Sequence, residues 1–150
     1  RFVEAVTTQV KALRQGDPLG GNGADIDVGA MTMPGQLDIV QRLVDDAVRK
    51  GARVLVGGKR DPQATGQFFP PTVLVDVTHQ MDITQQETFG PVMVIMRASS
   101  DADVIQKAND TEFGLGSTVF SKDHQRAARI AQQLVAGTTA LRDEIEARAQ

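Results

Sequence analysis

Three short runs constrain this chain more than anything else in it: "RVLV" (53–56), "TVLV" (72–75) and "PVMVIM" (91–96). Each is apolar or β-branched throughout, without the polar alternation of a strand that has one wet face. That pattern belongs to strands covered on both sides, as in a parallel sheet between helix layers. "STVFS" (117–121) reads as a fourth strand. Segments of helical period lie between and around these runs, so the class expected is α/β, an open, mostly parallel sheet flanked by helices. On this reading Val94 sits in a central strand, and Val94→Asp would bury a charge and unfold the chain.

Four helices are predicted. In "FVEAVTTQVKAL" (2–13) Phe2, Val6, Val10 and Leu13 form one seam, which Gly16 and Pro18 end. A second helix starts near Pro34, carries Leu37, Val40, Val44 and Ala47 on one face, and stops at Gly51. A third starts from Ser100 as N-cap. The fourth follows Asp123, with Ala127, Ile130, Ala131 and Leu134 on one face and Gly137 as its stop.

The 150 residues suit one domain with its own core. A net charge of −3 with dispersed basic residues gives no attraction to nucleic acid or to an anionic membrane. There is no long apolar run and no signal peptide, and cysteine is absent. The absence of cysteine excludes disulfides and a cysteine nucleophile within the chain, and the expected location is cytoplasmic. The opening Arg1-Phe2, already inside a helical pattern, reads as the start of a fragment or a processed product.

Most candidate motifs fail on their chemistry. "GNGADI" (21–26) has Ile26 where the dinucleotide fingerprint needs glycine, and it follows a helix rather than a strand. "DIDVGA" (25–30) puts Gly29 where a calcium loop needs an oxygen ligand. No metal site is expected, and His79 and His124 read as surface residues. "QQETFGPV" (85–92) is different. Its plain reading is a surface acid at Glu87, a core anchor at Phe89, and a Gly90-Pro91 turn into a strand. Its functional reading has Glu87 accept hydrogen bonds from a diol, such as the paired hydroxyls of a ribose, while Phe89 walls an apolar ring.

The E-x-F-G-P pattern of Glu87, Phe89, Gly90 and Pro91 resembles a motif of the aldehyde dehydrogenase superfamily. Further similar segments run in family order: "GDP" (16–18), "GARVLVGGK" (51–59), "FFPPTVLVDVTHQMDI" (68–83), "ANDTEFGLGSTVFSKD" (108–123) and "AGT" (136–138). The likeness implies that residues 1–143 are part of a catalytic domain and that 144–150 are a divergent or truncated tail. It implies NAD or NADP as cofactor, with Glu87 on the nicotinamide ribose and Phe89 beside the nicotinamide. Gln36 resembles a family glutamine that approaches the cofactor's adenosine side.

No catalytic residue is expected in this chain. The family's cysteine, general-base glutamate, oxyanion asparagine and cofactor domain match no part of it. Family members usually carry glutamate where this chain has Gln86, and Arg142 takes the place of an asparagine in the substrate loop. "RDEIEARAQ" (142–150) reads as a short polar helix.

The resemblance thus implies part of an enzyme that oxidises an aldehyde to an acid through a covalent thiohemiacetal and hydride transfer. The implied partners are the rest of the subunit, an aldehyde and further copies in a homo-oligomer; alone, the chain is expected to be inactive. The alternative is a non-catalytic interaction or assembly module of the same fold.

Overall fold

The computed structural model describes residues 1–20 and 25–142. The glycine loop at 21–24 and the tail at 143–150, with the helix expected there, lie outside the described residues. The chain divides into two units, Arg1–Arg97 and Ala98–Gln150.

Helix α2 (Pro34–Arg49) organises the first unit. Its stripe of Leu37, Val40, Leu43, Val44 and Ala47 is almost fully buried, against Phe69, Leu74, Val77, Met81 and Ile83. The three- and four-residue spacing of that stripe is what the sequence predicts; Leu43 joins it. Pro34 occupies the first turn. At the other end Gly51 adopts φ +106°, its N–H bonding to Val48 O at 3.0 Å and that of Ala52 to Ala47 O at 2.9 Å. This is the paired closure that a left-handed residue after a helix allows, and it satisfies two carbonyls of the last turn.

Strands β1 (Arg53–Val56), β2 (Thr72–Val75) and β3 (Val92–Ile95) form one sheet in the order β1-β2-β3. β2 and β3 run parallel, with Thr72 opposite Val92 and Val75 opposite Ile95. β1 and β2 are antiparallel, the exception among otherwise parallel pairs, and an irregularity falls between Val54 and Val56. The loop 57–71 contains no helix. It turns the chain back beside β1, whereas a parallel partner needs a crossover.

Coverage also departs from expectation. Among the described strands of this sheet, β2, the middle one, is buried along its whole length, whereas β1 and β3 are not. Val54 is 38%, Met93 45% and Val94 38% exposed, so aspartate at 94 would reach water and the expectation that it unfolds the chain is withdrawn. Helix α1 (Phe2–Ala12) lies against β1 and β2 without burying any residue fully; Phe2 and Leu13 remain exposed.

In the second unit, α3 (Asp101–Asn109) starts at Ser100, whose Oγ accepts the Asp103 N–H at 3.1 Å. β4 (Gly116–Phe120) pairs in parallel with β5 (Thr138–Arg142), and α4 (His124–Ala131) packs on both through Ala127 and Ile130. Asp123 caps α4 by accepting the Arg126 N–H at 2.9 Å.

Helix α4 ends at Ala131, well before the glycine expected to stop it. The Asn109 side chain diverts the chain there: its Nδ2 donates to Gln133 O and its Oδ1 accepts from Val135 N, each at 2.8 Å. Gly137 instead enters β5, donating to Gly114 O at 2.7 Å. Among the described residues, the α/β class holds, with parallel pairing in both sheets and one antiparallel pair.

Candidate functional site

The loop that carries "ETFG" is fixed at both ends before its own residues are considered. Upstream, a single 3-10 turn (Asp82–Thr84) is tied to α2, because the buried Asp46 carboxylate accepts the Asp82 N–H at 3.0 Å. The N–H groups of Gln85 and Gln86 close back onto Asp82 O at 3.0 and 2.9 Å. Lys50 Nζ bridges the Asp46 and Asp82 carboxylates at 2.8 and 2.9 Å. The Lys50 hydrogen bond, followed by the Asp82 N–H, holds the Asp46 carboxyl below the usual carboxylate range. Downstream, Pro91 O accepts the Thr72 N–H at 2.8 Å and hands the chain to β3.

Between these ends Phe89 adopts φ +41°. A left-handed conformation sets Cβ against the backbone and costs about 1–2 kcal/mol for a residue of this kind. The residue is nonetheless 73% exposed, so core burial does not compensate. Phe89 is therefore not the core anchor of the plain reading; the core aromatic is Phe69, which is fully buried.

Two contacts over-determine the conformation. Gln36 Nε2 donates to Thr88 O at 2.7 Å. Gly90 lies so close to α2 that a Cβ there would sit 2.7 Å from Val40 Cγ2, which holds the backbone on the buried face of the helix.

Phe89 forms one wall of a pocket of about 410 Å³, together with Ala30, Met31, Thr32, Met33 and Gln36. That volume is within the range of small-ligand sites, roughly 300–1,000 Å³. Its lining is apolar with a few polar groups and carries no charge. Such a lining suits a flat heteroaromatic ring or a sugar better than a pyrophosphate, which needs cations or a row of N–H donors.

The structure thus brings Phe89 and Gln36 to one pocket. Glu87 does not line it. Its side chain is exposed on the same loop, two residues away, and no other described residue holds its carboxylate by hydrogen bond or ion pair. It is an acceptor open to an incoming hydroxyl pair. Gln86, where family members usually carry glutamate, accepts from Arg42 Nη2 at 2.9 Å.

Sequence reasoning missed the pocket's other wall, residues 30–33, and it missed Arg42. The available signal was a pair of methionines, Met31 and Met33, in a loop just before a helix-starting proline; Met33 is 63% exposed. Among the described residues no three histidine, cysteine or acidic side chains gather as a metal site, and no helix is long and apolar enough to cross a membrane.

The sequence profile of the aldehyde dehydrogenase family matches residues 1–150. A vanillin dehydrogenase from a Pseudomonas species is 40% identical over 136 residues, covering 91% of this chain and 27% of the relative. A 3-sulfolactaldehyde dehydrogenase from Pseudomonas putida is 39% identical over 137 residues, with the same coverage of 91% and 27%. The crystal structure of a Mycobacterium tuberculosis aldehyde dehydrogenase complexed with NAD+ matches with a TM-score of 0.84 and 34% identity, over 93% of this chain and 28% of that one. The chain thus spans about a quarter of the length of these relatives. Family profile, identity and backbone agree along nearly the whole chain: it belongs to the aldehyde dehydrogenase family.

Proposed function

We propose that this chain forms the nicotinamide-ribose side of the cofactor site in an NAD- or NADP-dependent aldehyde dehydrogenase that oxidises an aldehyde to a carboxylic acid. One observation carries the reading: an exposed phenylalanine is held in a strained backbone conformation at the wall of an uncharged pocket, two residues from a carboxylate that no other described residue pairs. Strain that burial does not offset, at the edge of a pocket, points to a role in binding. The NAD+ complex of the mycobacterial relative supports a dinucleotide as the ligand.

In this proposal the Glu87 carboxylate accepts hydrogen bonds from both ribose hydroxyls and so fixes the sugar's orientation. The Phe89 ring lies beside the nicotinamide and excludes water from one of its faces. Gln36 contributes at the pocket edge. When bound, the dinucleotide supplies the acceptor for the hydride that leaves the aldehyde carbon. With no cysteine in the chain, the nucleophile comes from elsewhere in such a subunit, and the isolated chain is inactive. The exposed apolar side chains of α1 and β3 support contacts with that remainder.

The test is Glu87→Gln in the full-length protein, followed by aldehyde-dependent reduction of the dinucleotide and by thermal unfolding. Losing a charge-assisted pair of hydrogen bonds to the ribose should lower turnover about tenfold or more. The melting temperature should not move, because no described residue depends on this carboxylate. Unchanged turnover would remove Glu87 from the site.

A further inference from the structure

We infer that Gln36 is a positioning residue, acting on the cofactor through Phe89 rather than by its own contact. This rests on the assignment of the 87–89 loop to the nicotinamide ribose. The Gln36 amide is oriented by the loop, because its Nε2 donates to Thr88 O at 2.7 Å. That carbonyl belongs to the peptide unit leading into Phe89, whose φ is +41°. Rotating this peptide toward an ordinary φ would turn the Thr88 carbonyl away from Gln36, so the hydrogen bond opposes the relaxation that the strain favours.

Helix α2 brackets the loop a second time, through Arg42 Nη2 on Gln86 Oε1 at 2.9 Å. The two grips fall on either side of Glu87, at 86 and at 88. Residues 36 and 42 are under two turns apart on a helix whose stripe of Leu37, Val40, Leu43, Val44 and Ala47 is locked in the core, so the template is rigid. The Arg42 grip is exposed on both partners and is the weaker of the two. Gln36 is half-buried and carries the conformation of the ring.

A double-mutant cycle on NAD+ affinity in the full-length protein tests this, with Gln36→Leu, Phe89→Ala and their combination, and with turnover and melting temperature read on the same samples. Loss of the hydrogen bond should weaken NAD+ binding about five- to tenfold, with the melting temperature nearly constant. In the Phe89→Ala background, Gln36→Leu should have no further effect, because the ring through which it acts is gone. Gln36→Glu, of the same shape but without the donor, should reproduce Gln36→Leu and guards against a packing defect in the leucine variant.

Additive effects would overturn the inference and show that Gln36 meets the cofactor directly. Unchanged affinity in both Gln36 variants, with Phe89→Ala impaired, would also overturn it. Phe89→Ala binding NAD+ as well as the wild type would instead overturn the assignment of the loop, and this inference with it.

Discussion

At the scale of single residues, Phe89 is where stability and the proposed role pull apart. Phenylalanine at φ +41° with 73% of its surface in water is a poor choice for stability, since glycine populates that region without a Cβ clash. Phe89→Gly should therefore be as stable as the wild type or more stable by up to about 1 kcal/mol, after allowing for glycine's larger unfolded-state entropy. Phe89→Ala keeps the clash and should be less stable than Phe89→Gly. Denaturant unfolding of the three proteins decides this. A loss near 3 kcal/mol on Phe89→Gly, the typical result for a buried phenylalanine, would show that the ring supports the fold. The sequence made Glu87 and Phe89 legible through their spacing and the turn that follows. It could not show the sign of φ at Phe89, nor that Gln36 reaches a carbonyl 52 residues away, because both arise from how the loop lies on α2.

Elements are held by short-range polar devices that titrate. In α3, Asp103 accepts from the Ser99 N–H at 2.7 Å, from Ser99 Oγ at 2.9 Å and from Lys107 Nζ at 2.9 Å. The Ser99 N–H foremost, then Lys107 and the Ser99 hydroxyl, bring its carboxyl from an ordinary 3.8 down to about 2. A carboxyl whose folded value is depressed stabilises the fold above its unfolded value and loses that contribution as pH falls through the folded one. The Asp103 contribution is thus complete above about pH 4 and lost by about pH 2. Asp46, also depressed, adds to the slope in the same direction. Stability measured against pH should fall across this window, and Asp103→Asn should make the fall shallower. An identical slope in the variant would show that Asp103 does not stabilise α3.

The starts of these elements were legible because they are local. Ser100 and Asp123 cap as their positions suggest, and Gly51 closes α2. The end of α4 was not legible, since Asn109, from another helix, sets it.

At the scale of the whole molecule, the class and motif order were legible, but the environment of each strand was not. Runs 53–56, 72–75 and 91–96 look equally buried as sequence, yet among the described residues only the second has a strand on both sides. An apolar run reports what a strand can bury, and its neighbours decide what it does bury. Much the same holds for the site. The acid and the ring were found in one motif, whereas the pocket needed residues 30–33, brought in by the fold from over fifty positions upstream. The chain spans 27% of the vanillin dehydrogenase it resembles.

The measurement that tests the central claim most directly is an NMR titration of NAD+ into this chain with its six phenylalanines 13C-labelled in the ring. Fast exchange makes weak binding visible. The account predicts progressive shifts of the Phe89 ring resonances, with those of buried Phe69 unmoved. Phe89 resonances that stay constant up to the solubility limit of the dinucleotide would contradict it.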